Sequence, residues 1–206
     1  MLKNCLLLLI TTPAFAFDKP DSLSYANQLE KSTQPWILFW KELNPKFDIT
    51  KFYISSWTEL APEVESDVNP SKWKNTAYDM FYSYSPDSNY VVDIYTYRMY
   101  ISLHNGKVSI GPGEPDSQVE LVSFITKKWQ RLAFTGSESG FDEVIWADSS
   151  TFIVMGYSSV KDELYQPDYT VFDLKKRRKI RYSGNVISGE AAKGYVSSKF
   201  SDYIEK

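Results

Sequence analysis

The chain of 206 residues contains one cysteine and one histidine. Cys5 lies in the N-terminal apolar run, so everything after it lacks a thiol for a disulfide or a nucleophile. With His104 as the sole imidazole, the usual zinc-ligand sets cannot be assembled. A Ser-His-Asp triad would have to use His104, which sits beside the Asn105-Gly106 turn signal and on no nucleophile motif. Phosphate-loop and dinucleotide fingerprints are missing too. No apolar run approaches the length of about 20 residues that a membrane helix needs. Nor is there a positive excess: 23 Lys+Arg stand against 26 Asp+Glu, for a net charge of −3. An acidic chain has no electrostatic reason to seek nucleic acid. The expectation from these absences is no cofactor, no metal site, no nucleic-acid partner and no transmembrane segment.

The beginning of the chain carries an address. Lys3 supplies a positive start, Cys5–Ile10 an apolar run, and Ala14-Phe-Ala16 a small-x-small cleavage site. The pattern predicts a signal peptide over 1–16 and a single mainly β domain over 17–206, in a periplasm or outside the cell. Losing Lys3 takes Lys+Arg from 23 to 22 and the net charge from −3 to −4. Aromatics make up 16% of the chain, with 15 tyrosines, a composition suited to cross-strand packing in sheets.

Helical spacing is visible at both ends. Leu23, Ala26 and Leu29 predict a helix near 22–32. Trp36, Trp40 and Leu43, between Pro35 and Asn44-Pro45, predict another over 35–43. Trp36 and Trp40 fit a core stripe, and the competing role is a platform for a sugar ring. Val196, Phe200 and Tyr203 predict a closing helix over about 190–204. Between these ends the chain reads as short strands. Phe52-Tyr-Ile54 marks one strand, Tyr90–Leu103 a long one, and Asn105-Gly106 a tight hairpin turn.

The strand region repeats. Tyr169–Gly184 lines up without a gap on Leu121–Gly136, with Phe124/Phe172, Lys127/Lys175, Lys128/Lys176 and Gly136/Gly184 identical. Upstream of each copy is an apolar run broken by a polar turn, Ser85-Pro-Asp-Ser-Asn89 and Asp148-Ser-Ser150. The expected fold is therefore mainly β, with antiparallel sheets in two four-stranded units at 78–136 and 141–184 and short helices at both ends. Tyr90–Tyr97 and Phe152–Tyr157 are apolar or aromatic on both faces, so both faces should be covered. Tyr84-Ser-Pro-Asp-Ser88 and Phe172-Asp-Leu-Lys-Lys176 carry a resemblance to the blades of β-propeller proteins. Ser88 departs from that pattern, where glycine is usual, and the second turn lacks the proline. The resemblance implies a supersecondary unit and no activity.

Candidate chemistry is thin. On a strand, Asp93, Tyr95 and Tyr97 would share one side, and Trp146 facing them would complete an aromatic-walled ligand pocket with one acid. The alternative is ordinary inter-sheet core with Asp93 hydrogen-bonded. Glu63, Glu65, Asp67, Asp142 and Glu143 are the carboxylates from which a glycan hydrolase could draw a pair, or are solvated loop acids. Lys175–Lys179 with Arg181 forms the most basic run, an anion-binding patch or a solvated turn. The functional expectation is an exported, non-enzymatic binding or protein-interaction module. Its partner would be an envelope protein or a glycan, with self-association through open sheet edges. The alternative is a carboxylate-pair hydrolase. Intact-mass measurement of the exported product should give a chain beginning at Phe17; an intact Met1 would overturn the address.

Overall fold

The computed structural model describes residues 22–61, 69, 73, 76, 78–104, 107–184 and 186–200. Helix α1 (Ser22–Ser32) turns Ala26 and Leu29 inward. Thr33 ends it, with its backbone N–H and its hydroxyl both donating to the Leu29 carbonyl. Helix α2 (Gln34–Leu43) starts at once, with Pro35 in its first turn, where a missing N–H costs nothing. Its buried stripe is Trp36, Ile37 and Trp40. The two indoles lie 6.1 Å apart and Phe47 packs on both, at 5.9 and 6.4 Å. Both tryptophans are therefore core, each contributing about 1.5–3 kcal/mol by burial.

The strands are β1 (Tyr53–Glu59), β2 (Ser83–Tyr84), β3 (Tyr90–Asp93), β4 (Met99–His104), β5 (Lys107–Pro112) and β6 (Ser117–Ser123). They continue with β7 (Lys128–Thr135), β8 (Ser139–Trp146), β9 (Thr151–Lys161), β10 (Leu164–Asp173) and β11 (Arg178–Ser183). They form a five-stranded sheet in the order β1-β11-β10-β9-β8, a four-stranded sheet β2-β3-β6-β7 and a hairpin β4-β5. All pairs are antiparallel. The fold is mainly β.

The centre of the five-stranded sheet is buried on both faces, as the lack of alternation in β9 required. Ile153, Met155, Val171, Ile180 and Tyr182 meet the helices, while Val144, Phe152, Val154 and Phe172 meet Val92, Val119 and Leu121 of the smaller sheet. The result is helices on one side, a sheet in the middle and a second sheet on the other. This arrangement corrects the propeller resemblance. The two units are stacked unequal sheets, one of which gains β1 from the N-terminal region, and no closed sheet or propeller forms among the described residues.

The turns match closely between units, at a spacing the ungapped alignment missed. Its offset, from Leu121 to Tyr169, is 48 positions. Yet the left-handed residues that close the two turns, Lys127 (φ 55°) and Arg177 (φ 49°), are 50 apart. At the same offset, Ser123 Oγ accepts from the Thr126 N–H and Asp173 Oδ1 from the Lys176 N–H. Likewise Asp87 Oδ1 accepts from Asn89 N and Asp148 Oδ1 from Ser150 N, the local bonds expected of Asp in turns.

Two further expectations change. Tyr90–Leu103 is not one strand: β3 stops at Asp93, whose Oδ1 accepts from the N–H groups of Tyr95 and Thr96 and bends the chain before β4. The closing helix is replaced by two 3-10 turns, Glu190–Gly194 and Ser198–Phe200. Phe200 is buried between Phe81 (4.9 Å) and Tyr95 (4.8 Å), and Tyr203 lies outside the described residues.

Strands β8 and β9 approach closely because two glycines meet. A Cβ on Gly156 would stand 2.0 Å from the Gly140 carbonyl oxygen. Gly156→Ala should cost about 3 kcal/mol in urea unfolding. Gly194→Ala, with nothing within 4 Å, should stay within about 0.5 kcal/mol. Equal midpoints for the two variants would disprove the contact.

Candidate functional site

The four residues expected to line one pocket separate into three places. Asp93 is buried at the end of β3 and holds the bend that follows, with its second oxygen taking the Thr96 hydroxyl. Tyr95 and Tyr97 sit in that bend, where strand alternation no longer applies. Tyr95 is buried and donates its hydroxyl to the Asp142 carbonyl at 2.9 Å, while Tyr97 packs edge-on to Phe134 at 6.1 Å. Trp146 belongs to the inter-sheet core. It stacks with Tyr90 at 6.4 Å, touches Phe152 at 5.0 Å and donates its N–H to the Ser83 carbonyl. Only Asp93 and Tyr95 stay close, and no aromatic pocket is walled by all four.

Of the five candidate acids, Glu63, Glu65 and Asp67 lie outside the described residues. Asp142 and Glu143 sit at a bulge of β8 against β9, one taking the Trp36 indole N–H at 3.1 Å, the other the Tyr195 hydroxyl at 2.8 Å. Lys199 reaches the same region, donating to the carbonyls of Phe81 and Tyr82. These groups make a polar centre that ties α2, β8, the bend after β3 and the C-terminal segment together. Burial pushes the Asp142 carboxyl up to about 8, against the pull of the Trp36 bond and the Arg98 charge. Burial also raises Asp93 and lowers the Lys199 ammonium. A cavity of about 70 Å³ between Tyr95, Arg98, Asp142 and Tyr195 opens onto it. Sequence reasoning missed one carboxyl partner. Glu120 stands directly across from Asp93, and burial and that neighbour raise it to about 7.

A second cavity, of about 180 Å³, lies between the sheets where β7 faces β10, β11 and β1. Asp168, Lys179 and Arg181 line it together with Ser56 and Thr170. Asp168 is buried and pairs with Arg181 at 2.5 Å. Lys179 crosses between the sheets to donate to the Leu132 carbonyl at 3.0 Å. Burial and the nearby Arg181 lower its ammonium. The basic run read as a turn therefore ends inside a cavity, which residue type alone could not reveal.

Beside this cavity runs the outer edge of the large sheet. All seven residues of β1 are exposed, and its ladder partner among the described residues is β11. Tyr53, Ile54 and Trp57 are 53%, 45% and 40% exposed.

Comparison with protein-family models, curated proteins and solved structures finds no match. Among the described residues, no three His, Cys, Asp or Glu side chains are placed to hold a metal ion. No helix among them is long and apolar enough to cross a membrane.

The raised Asp142 carboxyl sets a pH dependence. In the folded chain it keeps its proton, up to about pH 8, after the unfolded chain has released it near pH 4. Its contribution to stability is therefore complete below about pH 4 and falls as pH rises toward 8. Asp142→Asn keeps an oxygen for Trp36 and cannot ionise. In thermal melts the variant should match the natural chain near pH 4 and exceed it at pH 8. Parallel profiles would contradict a buried neutral carboxyl.

Proposed function

We propose that the chain is an exported, non-enzymatic interaction module that binds an envelope protein along the open edge of β1. The observation that carries this reading is the strand's composition. Sheet edges are normally guarded by lysine, proline or inward-pointing charge, because an unguarded row of N–H and C=O groups invites another strand. Here Tyr-Ile-Ser-Ser-Trp-Thr-Glu has no lysine or proline in seven exposed residues, and carries two large aromatics and an isoleucine. A small bulge between Ile54 and Ser56 is the one irregularity in its pairing. A partner adding a strand would gain main-chain hydrogen bonds there, with alternate side chains giving selectivity. Two copies could use the same edge for self-association.

The cavities support surface recognition over enclosure of a small ligand. Those of about 70 and 180 Å³ fall below the roughly 300–1,000 Å³ usual for such sites, and one of about 480 Å³ beside α2 is walled mainly by charged side chains, Glu30, Lys41, Lys46, Asp48 and Lys51, where such sites are mostly apolar. One observation favours the rival glycan hydrolase, the raised Glu120 carboxyl opposite Asp93. None of these cavities is lined by either acid, and Asp93 is buried.

Immobilised chain should retain specific proteins from an envelope extract, and an Ile54→Lys/Trp57→Lys variant of unchanged circular dichroism should lose them. Equal capture by both would remove β1 from the reading. Turnover in a parallel glycan panel, abolished by Glu120→Gln, would replace the module with the hydrolase.

A further inference from the structure

The partner's chemistry can be taken a step further from the cavity beside β1, an inference that rests on strand addition at that edge. In the antiparallel register Ser56 is opposite Arg181 and Thr58 is opposite Lys179. Directly opposed residues share a face, and this face holds the cavity lined by Ser56, Lys179, Arg181, Thr170 and Asp168. A strand laid outside β1 would run about 4.8 Å away. Its residues opposite Ser56 and Thr58 would project onto the same face, at the cavity's rim.

The charges there are unequal. Asp168 is committed to Arg181, whose side chain remains 38% exposed with further N–H donors available. Lys179 enters no ion pair among the described residues, and its ammonium donates to the neutral Leu132 carbonyl. A half-buried ammonium without a counter-ion is costly, and a carboxylate would offset that cost. The excess continues past the rim. Lys175, Lys176 and Arg177 also lack ion pairs among the described residues, and Arg177 donates to the Ala61 carbonyl just beyond β1. Glu59 is the one acid on the strand. The buried Asp168 charge disfavours a dianion such as phosphate and leaves room for a single negative charge.

We propose that the inter-sheet cavity receives a carboxylate side chain from an acidic, extended segment of the partner as that segment pairs with β1. Lys179 and the free side of the Arg181 guanidinium supply the charged donors, and Ser56 and Thr170 supply hydroxyls. The bonds would be charge-assisted, so specificity for acid over amide should be large and salt-sensitive.

The test uses the full mature chain and two fluorescein-labelled, terminally capped octapeptides, one alternating valine with glutamate and one alternating valine with glutamine. Anisotropy titration should show the glutamate peptide bound about tenfold or more tightly, with the preference shrinking at high salt. Lys179→Met keeps the aliphatic stem. With unchanged circular dichroism, it should reduce the preference to about twofold or less. Equal binding of both peptides would overturn the carboxylate site and leave the edge reading intact. Binding of neither would overturn the edge reading, and this inference with it. An undiminished preference in Lys179→Met would also overturn the assignment. The chain's own acidic stretch is the competing occupant. A tenfold gain in glutamate-peptide affinity for an E63Q/E65Q/D67N variant would assign the cavity to that stretch and overturn the partner.

Discussion

Everything in this molecule depends on covering a sheet that is greasy on both sides. Phe152 and Phe172 face each other across β9 and β10, stacked at 4.8 Å with planes 7° apart. On the opposite face Tyr169 and Tyr182 stack at 4.7 Å. Each such side chain is worth about 1.5–3 kcal/mol only when water is excluded from it. The helices must therefore lie on one face and the smaller sheet on the other. Trp36, Trp40, Val92 and Leu121 are the caps that the central pairs demand. The three-layer order follows from that demand, and among the described residues the edge β1 is what the layers leave uncovered.

Much of this was legible because it is local. Pro35 and Asn44 mark helix ends by backbone chemistry, and Asp87 and Asp148 mark turns by side-chain bonds two residues on. Unbroken apolar runs in Phe152–Tyr157 signalled two covered faces. What failed was non-local or hidden in a single torsion. Matching lysines align the repeat at an offset of 48, but the turns are set by left-handed Lys127 and Arg177, residue types that carry no such signal. The long strand broke at Asp93, because one carboxylate can gather two backbone N–H groups without disturbing the apolar pattern before or after it.

The candidate sites were less legible still, for the same reason. Tyr95 and Tyr97 were placed by extending strand alternation past the point where the strand stops. Lys179 and Arg181 read as part of a charged turn, and their place in a cavity depends on β7 lying opposite. That β1 stands at an edge depends on sheet order, which periodicity does not encode. The polar centre joins residues more than a hundred positions apart, such as Trp36 and Asp142, so no spacing could announce it.

The C-terminal turn has a consequence for the order of events during synthesis. Phe200 closes the space between Phe81 and Tyr95, and the Lys199 amine holds two main-chain carbonyls nearby. The first strand of the large sheet pairs with its last. Neither closure can happen until Ser183 and Phe200 have left the ribosome, and contacts so distant in sequence form slowly. A nascent chain of this protein therefore lacks a finished core until Phe200 has emerged. That delay holds open an interval in which a chaperone can still engage it unfolded.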